Sequence, residues 1–246
     1  MFEPTIPFGE PELMRASEYR EYLKELDEEA AREGISSRIS SLSPSLRADL
    51  QRFEADGGAS EVLDVVAACV RHAKRVTIHL QCDDRVVPLT VFPDERLVHC
   101  PLTMNQLFGK PLTQLHVMHV EPAVLRPPGS AQRELVGEER LHFPLGPLLW
   151  ELAMRGARSE LLPEIAGPAV YRVTPSLDVD ALPTSGPQRE AIERLRAEAA
   201  TVSDIAQWPG LDRELAARLL NALYLQAGLM VSRSHPDAIN EIWKRR

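Results

Sequence analysis

Five residues that fall close together in the chain could carry metal chemistry: Cys82, His99, Cys100, His116 and His119. On a helix, His116 and His119 would share a face. The surrounding "QLHVMHVEP" reads instead as a strand, where a spacing of three sends the two rings to opposite faces. Adjacent His99 and Cys100 diverge for the same reason, and no Cys-x-x-Cys pair is present. These positions are therefore expected to be strand residues, with no metal. Asp83 and Asp84 in "CDDRV" offer two carboxylates, but neighbours in a turn diverge, so a solvated hairpin turn is expected. The chain contains no nucleophile elbow, Walker loop or dinucleotide fingerprint, so neither a catalytic residue nor a cofactor is expected. One stretch keeps a binding reading. "VLRPPG" sets Arg126 beside Pro127, Pro128 and Gly129, and a guanidinium on stiff backbone suits gripping a partner's carboxylate or phosphate.

These residues need elements to hold them. "RVTIHLQC" alternates Val76, Ile78 and Leu80 with Thr77, His79 and Gln81, which is the two-residue period of a strand. "RVVPLTVFP" and "LVHC" follow after turns at Asp83-Asp84 and Pro93–Arg96, predicting a three-stranded antiparallel meander. Pro88 has no N–H for a ladder, so that strand should be bulged there or exposed on that side. "TMNQLFGK" predicts a short helix and "QLHVMHVEP" a fourth strand. Residues 121–140, rich in Pro and Gly, form a long loop expected to be exposed, since loops of this length are functional or flexible.

Upstream, Met1 to Met14 reads as a loose arm. Ser17 should cap a helix to about Glu33 that stops at Gly34, with Tyr19, Tyr22, Leu23, Leu26 and Ala30 on one narrow stripe and its acidic side in solvent. A Ser-rich linker follows. A helix opened by Ser43 or Ser45 then ends at Gly57-Gly58, and a buried helix is capped by Ser60. Downstream, "GPLLWELAMRGARSELLPEI" predicts one helix burying Leu148, Leu149, Leu152 and Leu161. "AVYRVTP" predicts a strand, and a linker leads to three helices, a strand at "LMVSR" and a terminal helix, "DAINEIWKRR". The expected class is α+β, in three parts. They are a helical arm over 1–58, a core with an antiparallel sheet and flanking helices over 59–174, and a degenerate winged helix over 184–246.

Composition narrows function. The 246 residues are 44% hydrophobic and 26% charged, which is ordinary for a globular protein. The net charge of -8 works against phosphate binding unless basic residues gather on one face, and 5% aromatics leave few stacking platforms. No run resembles a signal peptide or a membrane span, and three cysteines suit a reducing compartment, so a cytoplasmic protein without membrane insertion is expected.

The C-terminal "LDRELAARLLNALYLQAGLMVSR" has the order of a recognition helix and a wing strand. A recognition helix presents its first turn to bases and phosphates. Here that turn carries Asp212 and Glu214, and the basic residues Arg213, Arg218 and Arg233 make no stripe. The helix is apolar on nearly every face, as buried helices are. No second wing strand is expected after Arg233. Winged-helix architecture used for packing or protein contact is the preferred reading, with DNA binding through those three arginines as the alternative.

The stretch from Leu145 to Arg233 also resembles the C-terminal part of bacterial PATAN-type regulatory proteins. Leu148, Leu149, Glu151, Arg155, Gly156 and Arg158 stand for that family's "LL-E-GxR" segment. Thr201, Asp204, Ile205, Ala206, Leu219, Leu223, Gly228 and Leu229 stand for its later motif. The resemblance implies a cytoplasmic adaptor in bacterial signalling, in a class partly linked to surface motility and pili. The expectation is therefore a non-enzymatic interaction module whose partner is another protein or a second copy of the chain. A winged-helix transcriptional regulator is the alternative.

Overall fold

Val76, Ile78, Leu80 and Cys82 are buried while Thr77, His79 and Gln81 between them are half-buried. A strand with a core on one face and a more polar cover on the other must alternate in this way. In the computed structural model, which describes residues 13–33, 42–55, 62–180 and 182–233, this strand is β1 (Val76–Cys82). It joins β2 (Arg85–Phe92), β3 (Leu97–His99), β4 (His116–Pro122) and β5 (His142–Pro144) in an antiparallel sheet of order β4-β1-β2-β3-β5. The fold is α+β, as expected from the two hydrophobic periods. The chain divides into two compact units, Met1–Leu145 and Gly146–Arg246.

Within the first unit the meander is present, with two additions. β4 turns back to pair with β1 at the far edge, and the short β5, hidden in "HFP", closes the other edge against β3. Pro88 produces no bulge, because the β1–β2 register runs unbroken through His79 and Pro88. β3 pairs only with Thr90, Val91 and Phe92, so no strand lies along β2 at Pro88 to require its missing N–H. The bulge lies in β4 instead. His119 pairs with His79 and Val117 with Leu80, leaving Met118 extra.

Helix α3 (Val62–Arg71) is buried continuously from Val62 to Cys69, so its cover extends beyond the expected apolar face and takes in the one charged residue of that stretch, Asp64. α2 (Pro44–Ala55) starts with Pro44 in its first turn, where a missing N–H costs nothing. It buries Leu46 and Leu50 and holds α3 through Asp49, which accepts from Arg71 at 3.0 Å and meets His72 Nε2 at 2.7 Å. α1 (Ala16–Glu33) begins one residue before Ser17, so that serine is not its cap. Ala16 and Tyr19 pack with Val86, flanked by Leu23 and Met118, while Tyr22 is left exposed. Of the loose arm expected over Met1 to Met14, only Leu13 and Met14 are described, and these are not loose: Arg85 donates to Leu13 O at 2.8 Å and Val86 N to Met14 O at 2.9 Å. The calls on residues 1–12, Gly34 and the Ser-rich linker to Ser41, the Gly57-Gly58 stop, the Ser60 cap and the helix after Arg233 lie outside the described residues.

The short helix expected at "TMNQLFGK" is α4 (Met104–Phe108), capped by Thr103. The second unit holds α5 (Leu145–Arg155), β6 (Ala169–Val173), α6 (Gly186–Ala197), α7 (Val202–Ile205), α8 (Arg213–Leu225) and β7 (Leu229–Arg233). α5 is shorter than the expected helix. Gly156 donates to the Leu152 carbonyl at 2.9 Å, and a Cβ there would sit 2.3 Å from that oxygen, so only glycine fits the turn that stops the helix. Pro163 then keeps Leu162 out of helical geometry. Leu162, not Leu161, is the fully buried residue. β6 falls in the 59–174 stretch assigned to the core by sequence, yet its ladder partner is β7. The capping boxes Ser185/Gln188 and Thr201/Asp204 start α6 and α7, and Asp212 caps α8 by accepting from Leu215 N at 2.7 Å.

Candidate functional site

Cross-strand partners point to the same side of a sheet. Following the register from β1 outward, Thr77, His79 and Gln81 share a face with Thr90 and Phe92 of β2 and His99 of β3. His142 of β5 and His119 and Glu121 of β4 lie on that face too. The Met118 bulge brings His116 onto it as well, because His116 pairs with Gln81. The expectation that His116 and His119 face opposite ways is thereby corrected. Strict alternation fails when an extra residue enters the strand. His79, His99, His116, His119 and His142 thus line one face of one sheet. Cys82 and Cys100 are buried, as His99 and Cys100 diverge by ordinary alternation.

Two clusters occupy this face. At one end, His79 Nε2 meets Glu121 Oε1 at 3.0 Å, its ring stacks on Tyr19 of α1 at 4.9 Å, and the His119 ring lies 6.0 Å away. Arg20 of α1 donates to Gln81 at 2.6 Å beside it. At the other end, the His99 and His142 rings meet edge to face at 4.9 Å, with Phe92 5.8 Å from His142. Burial, and then the neighbouring His142, push His99 below the ordinary histidine range, while the Glu138 carboxylate pulls the other way. Among the described residues, no group of three or more His, Cys, Asp or Glu side chains is placed to hold one metal ion.

Residues 123–141 cross the His99–His142 end as a strap. The segment is ordered by its own backbone. Arg126 N donates to Leu135 O at 2.9 Å, Ser130 N to Pro127 O at 3.2 Å, and two short 3-10 turns occupy Arg133–Leu135 and Glu139–Leu141. Pro127 and Val136 are buried and anchor it, while Val124 is 68% exposed. Arg126 is half-buried, and its Nε donates to Gln132 Oε1 at 3.3 Å. Pro128 is half-buried, and Gly129 lies exposed with a positive φ of 85° that a side chain would strain. The expected exposed loop is therefore a folded one, and only part of it reaches solvent.

The three arginines of the DNA alternative are dispersed. Arg213 is exposed at the start of α8. The Arg218 side chain is only 12% exposed. It donates to the carbonyls of Gly156 at 2.9 Å and of Ala153 and Met154 at 3.4 Å, capping the end of α5. Arg233 donates to the carbonyls of Glu164 at 2.6 Å and Ala166 at 3.3 Å. Asp83 holds Lys110 at 2.9 Å, and Asp84 lies in the same turn, exposed and without convergent geometry. Sequence reasoning missed His79, Glu121, Tyr19, His142 and Glu138. The even spacing of His79 among the polar positions of β1 was the one signal available for them.

No family model, no curated protein and no solved structure matches this chain. No helix among the described residues is long and apolar enough to cross a membrane.

Proposed function

We propose that this chain is a non-enzymatic protein-interaction module, an adaptor that works in the cytoplasm in bacterial signalling or in control of surface structures and motility. The observation that carries the reading is the strap. A segment with about half of its residues exposed is nonetheless bound along its backbone, so it offers a preorganised surface with Val124 in solvent. Preorganised backbone of this kind lowers the ordering cost of capturing a partner. Pro127 and Pro128 stiffen it, Gly129 turns it, and Arg126 stands beside them. The resemblance of the stretch from Leu145 to Arg233 to PATAN-type proteins supports the class and names no partner.

The alternative, a winged-helix regulator reading DNA, has less support. A reader needs free basic groups along the recognition helix. Arg218 and Arg233 are engaged with backbone carbonyls, and Asp212 faces the helix start. The test is affinity capture from the native bacterium with the wild-type chain and with Arg126→Ala. The expected result is a partner retained by the wild type and weakened by the variant at unchanged folding. Sequence-specific, nanomolar DNA binding at physiological salt would replace this reading with the regulator.

A further inference from the structure

The strap is tied at both ends to the sheet it crosses. Ala123 N donates to Arg75 O at 3.2 Å, and Cys100 N donates to Leu141 O at 3.0 Å. Between these ends it rests on His99 and His142. A Cβ added at Gly137 would lie 3.5 Å from His99 Nε2 and 3.7 Å from Leu125 Cδ2, so the strap backbone passes close over the ring. His142 Nδ1 lies 3.2 Å from the Glu138 carbonyl. A carbonyl only accepts, so Nδ1 carries the hydrogen and the neutral ring keeps its lone pair on Nε2. That Nε2 is buried and has no hydrogen-bond partner among the described residues.

A proton arriving at His142 therefore has one place to go, a buried nitrogen with no acceptor for the new N–H. A second proton on His99 would set two cations with ring centroids 4.9 Å apart. The other groups against the pair offer little relief. β2 meets it with uncharged Thr90 and Phe92. The strap brings Glu138, whose carboxylate is already held by Arg140 at 2.6 Å. Burial and His142 disfavour charge on His99 more than Glu138 favours it.

We propose that the strap over residues 123–141 is a pH-released cover, docked on neutral His99 and His142 and loosened when that pair takes up protons. Undocking relieves the burial that holds His99 below its ordinary range and gives the buried His142 Nε2 water to bond, so falling pH shifts the equilibrium toward the undocked strap. The window lies below the ordinary histidine value of about 6.5. Release uncovers the His99–His142 strip and the buried side chains of Pro127 and Val136. This behaviour belongs to the first unit alone and does not depend on what the strap binds.

The experiment is backbone NMR of the full chain at pH 7.5 and pH 5.5, with the histidine ring protons followed through the titration. Order parameters at Gly137 and Glu138 should fall from about 0.85 to below about 0.6 as the rings protonate, while β1 and β2 stay rigid. His142→Phe keeps an aromatic ring against Phe92 and removes the buried nitrogen. It should blunt the loss of strap order at pH 5.5, and His99→Gln combined with it should abolish the loss. A wild-type strap that stays ordered at pH 5.5, whether or not the rings have protonated, overturns the proposal. So does loss of order in the strap and the sheet together, or a double variant whose strap loosens as the wild type's does. If the double variant does not fold, the wild-type titration decides by itself.

Discussion

Arg218 shows how a side chain's role depends on what its end reaches. By sequence it is one of three scattered basic groups on or near α8. In the fold its guanidinium gathers the last carbonyls of α5, groups that a helix end leaves without partners. Arg218→Ala should cost about 1–3 kcal/mol, the range for losing hydrogen bonds from a charged donor to buried acceptors. Arg213→Ala, at an exposed position of the same helix, should stay within about 0.5 kcal/mol. Leu223 is fully buried, as are Leu219, Ile192, Leu195 and Ile205. Leu223→Ala should cost about 2–5 kcal/mol. Denaturant melts of the three variants check the order Leu223, Arg218, Arg213. Equal, small effects would mean that α8 is not a core helix. Asn221 is a buried polar residue in the same apolar helix, and both its amide oxygen and its amide nitrogen have a partner. It donates to Glu160 O at 2.9 Å and accepts from Leu162 N at 2.8 Å, tying down the irregular segment that follows α5.

At the scale of elements, the strap and β4 hold their shapes by local exceptions. Gly137 has a φ of 72°, a left-handed conformation that a side chain resists. The cost of Gly137→Ala is that backbone strain, since the added methyl would meet His99 only at ordinary contact distance, 3.5 Å. It should destabilise the chain by about 1 kcal/mol or more, readable as a lower denaturation midpoint. Arg126→Ala removes one neutral-acceptor hydrogen bond, to Gln132, and should cost about 1 kcal/mol or less by the same measurement. A larger fall would make Arg126 a structural residue of the strap, not a contact residue. The bulge in β4 has a second consequence. An edge strand with a clean ladder invites pairing with other chains, and a bulge disrupts that template.

For the whole molecule, acid and alkali each act on identifiable groups. His99 sits below its ordinary range in the fold, so the stability it contributes is present above about 6.5 and is lost as pH falls through its folded value. Burial pushes the thiol of Cys69 up to about 12 and that of Cys100 up to about 11, and raises Cys82 as well. Their contribution is present below the ordinary thiol value of 9.0 and is lost as pH rises through the folded values. A denaturant midpoint measured against pH should therefore be flat between roughly 6.5 and 9 and fall on both sides. A thiol reagent at pH 8 should find the three cysteines closed in the native chain and open in denaturant, since a buried protonated thiol is a poor nucleophile. A thiol that reacts at once in the native chain would contradict the burial. With a net charge of -8, any DNA binding should be weak and should fade steeply between 50 and 200 mM salt, about ten-fold or more for each few phosphate contacts.

The sequence alone determined the features that follow from period and local chemistry. Alternation in "RVTIHLQC" specified β1 and its buried face, the helical spacing of Val62, Val65, Val66 and Cys69 specified the buried face of α3, and Thr201 with Asp204 specified the start of α7. Such signals are legible because strand pleat, helix turn and capping act over a few residues. Tertiary structure decided what depends on partners distant in the chain. The three-residue strand β5 carries no period, and β3 alone makes it a strand. The extra residue in β4 becomes visible only in its register with β1, and it carries His116 to the other face. Arg218 and Gly156 are 62 residues apart, so no local pattern could have shown that one ends the helix of the other. The histidine face is the largest such case. His79, His99, His119 and His142 sit on four strands, and only the order in which those strands hydrogen-bond brings their rings to one side.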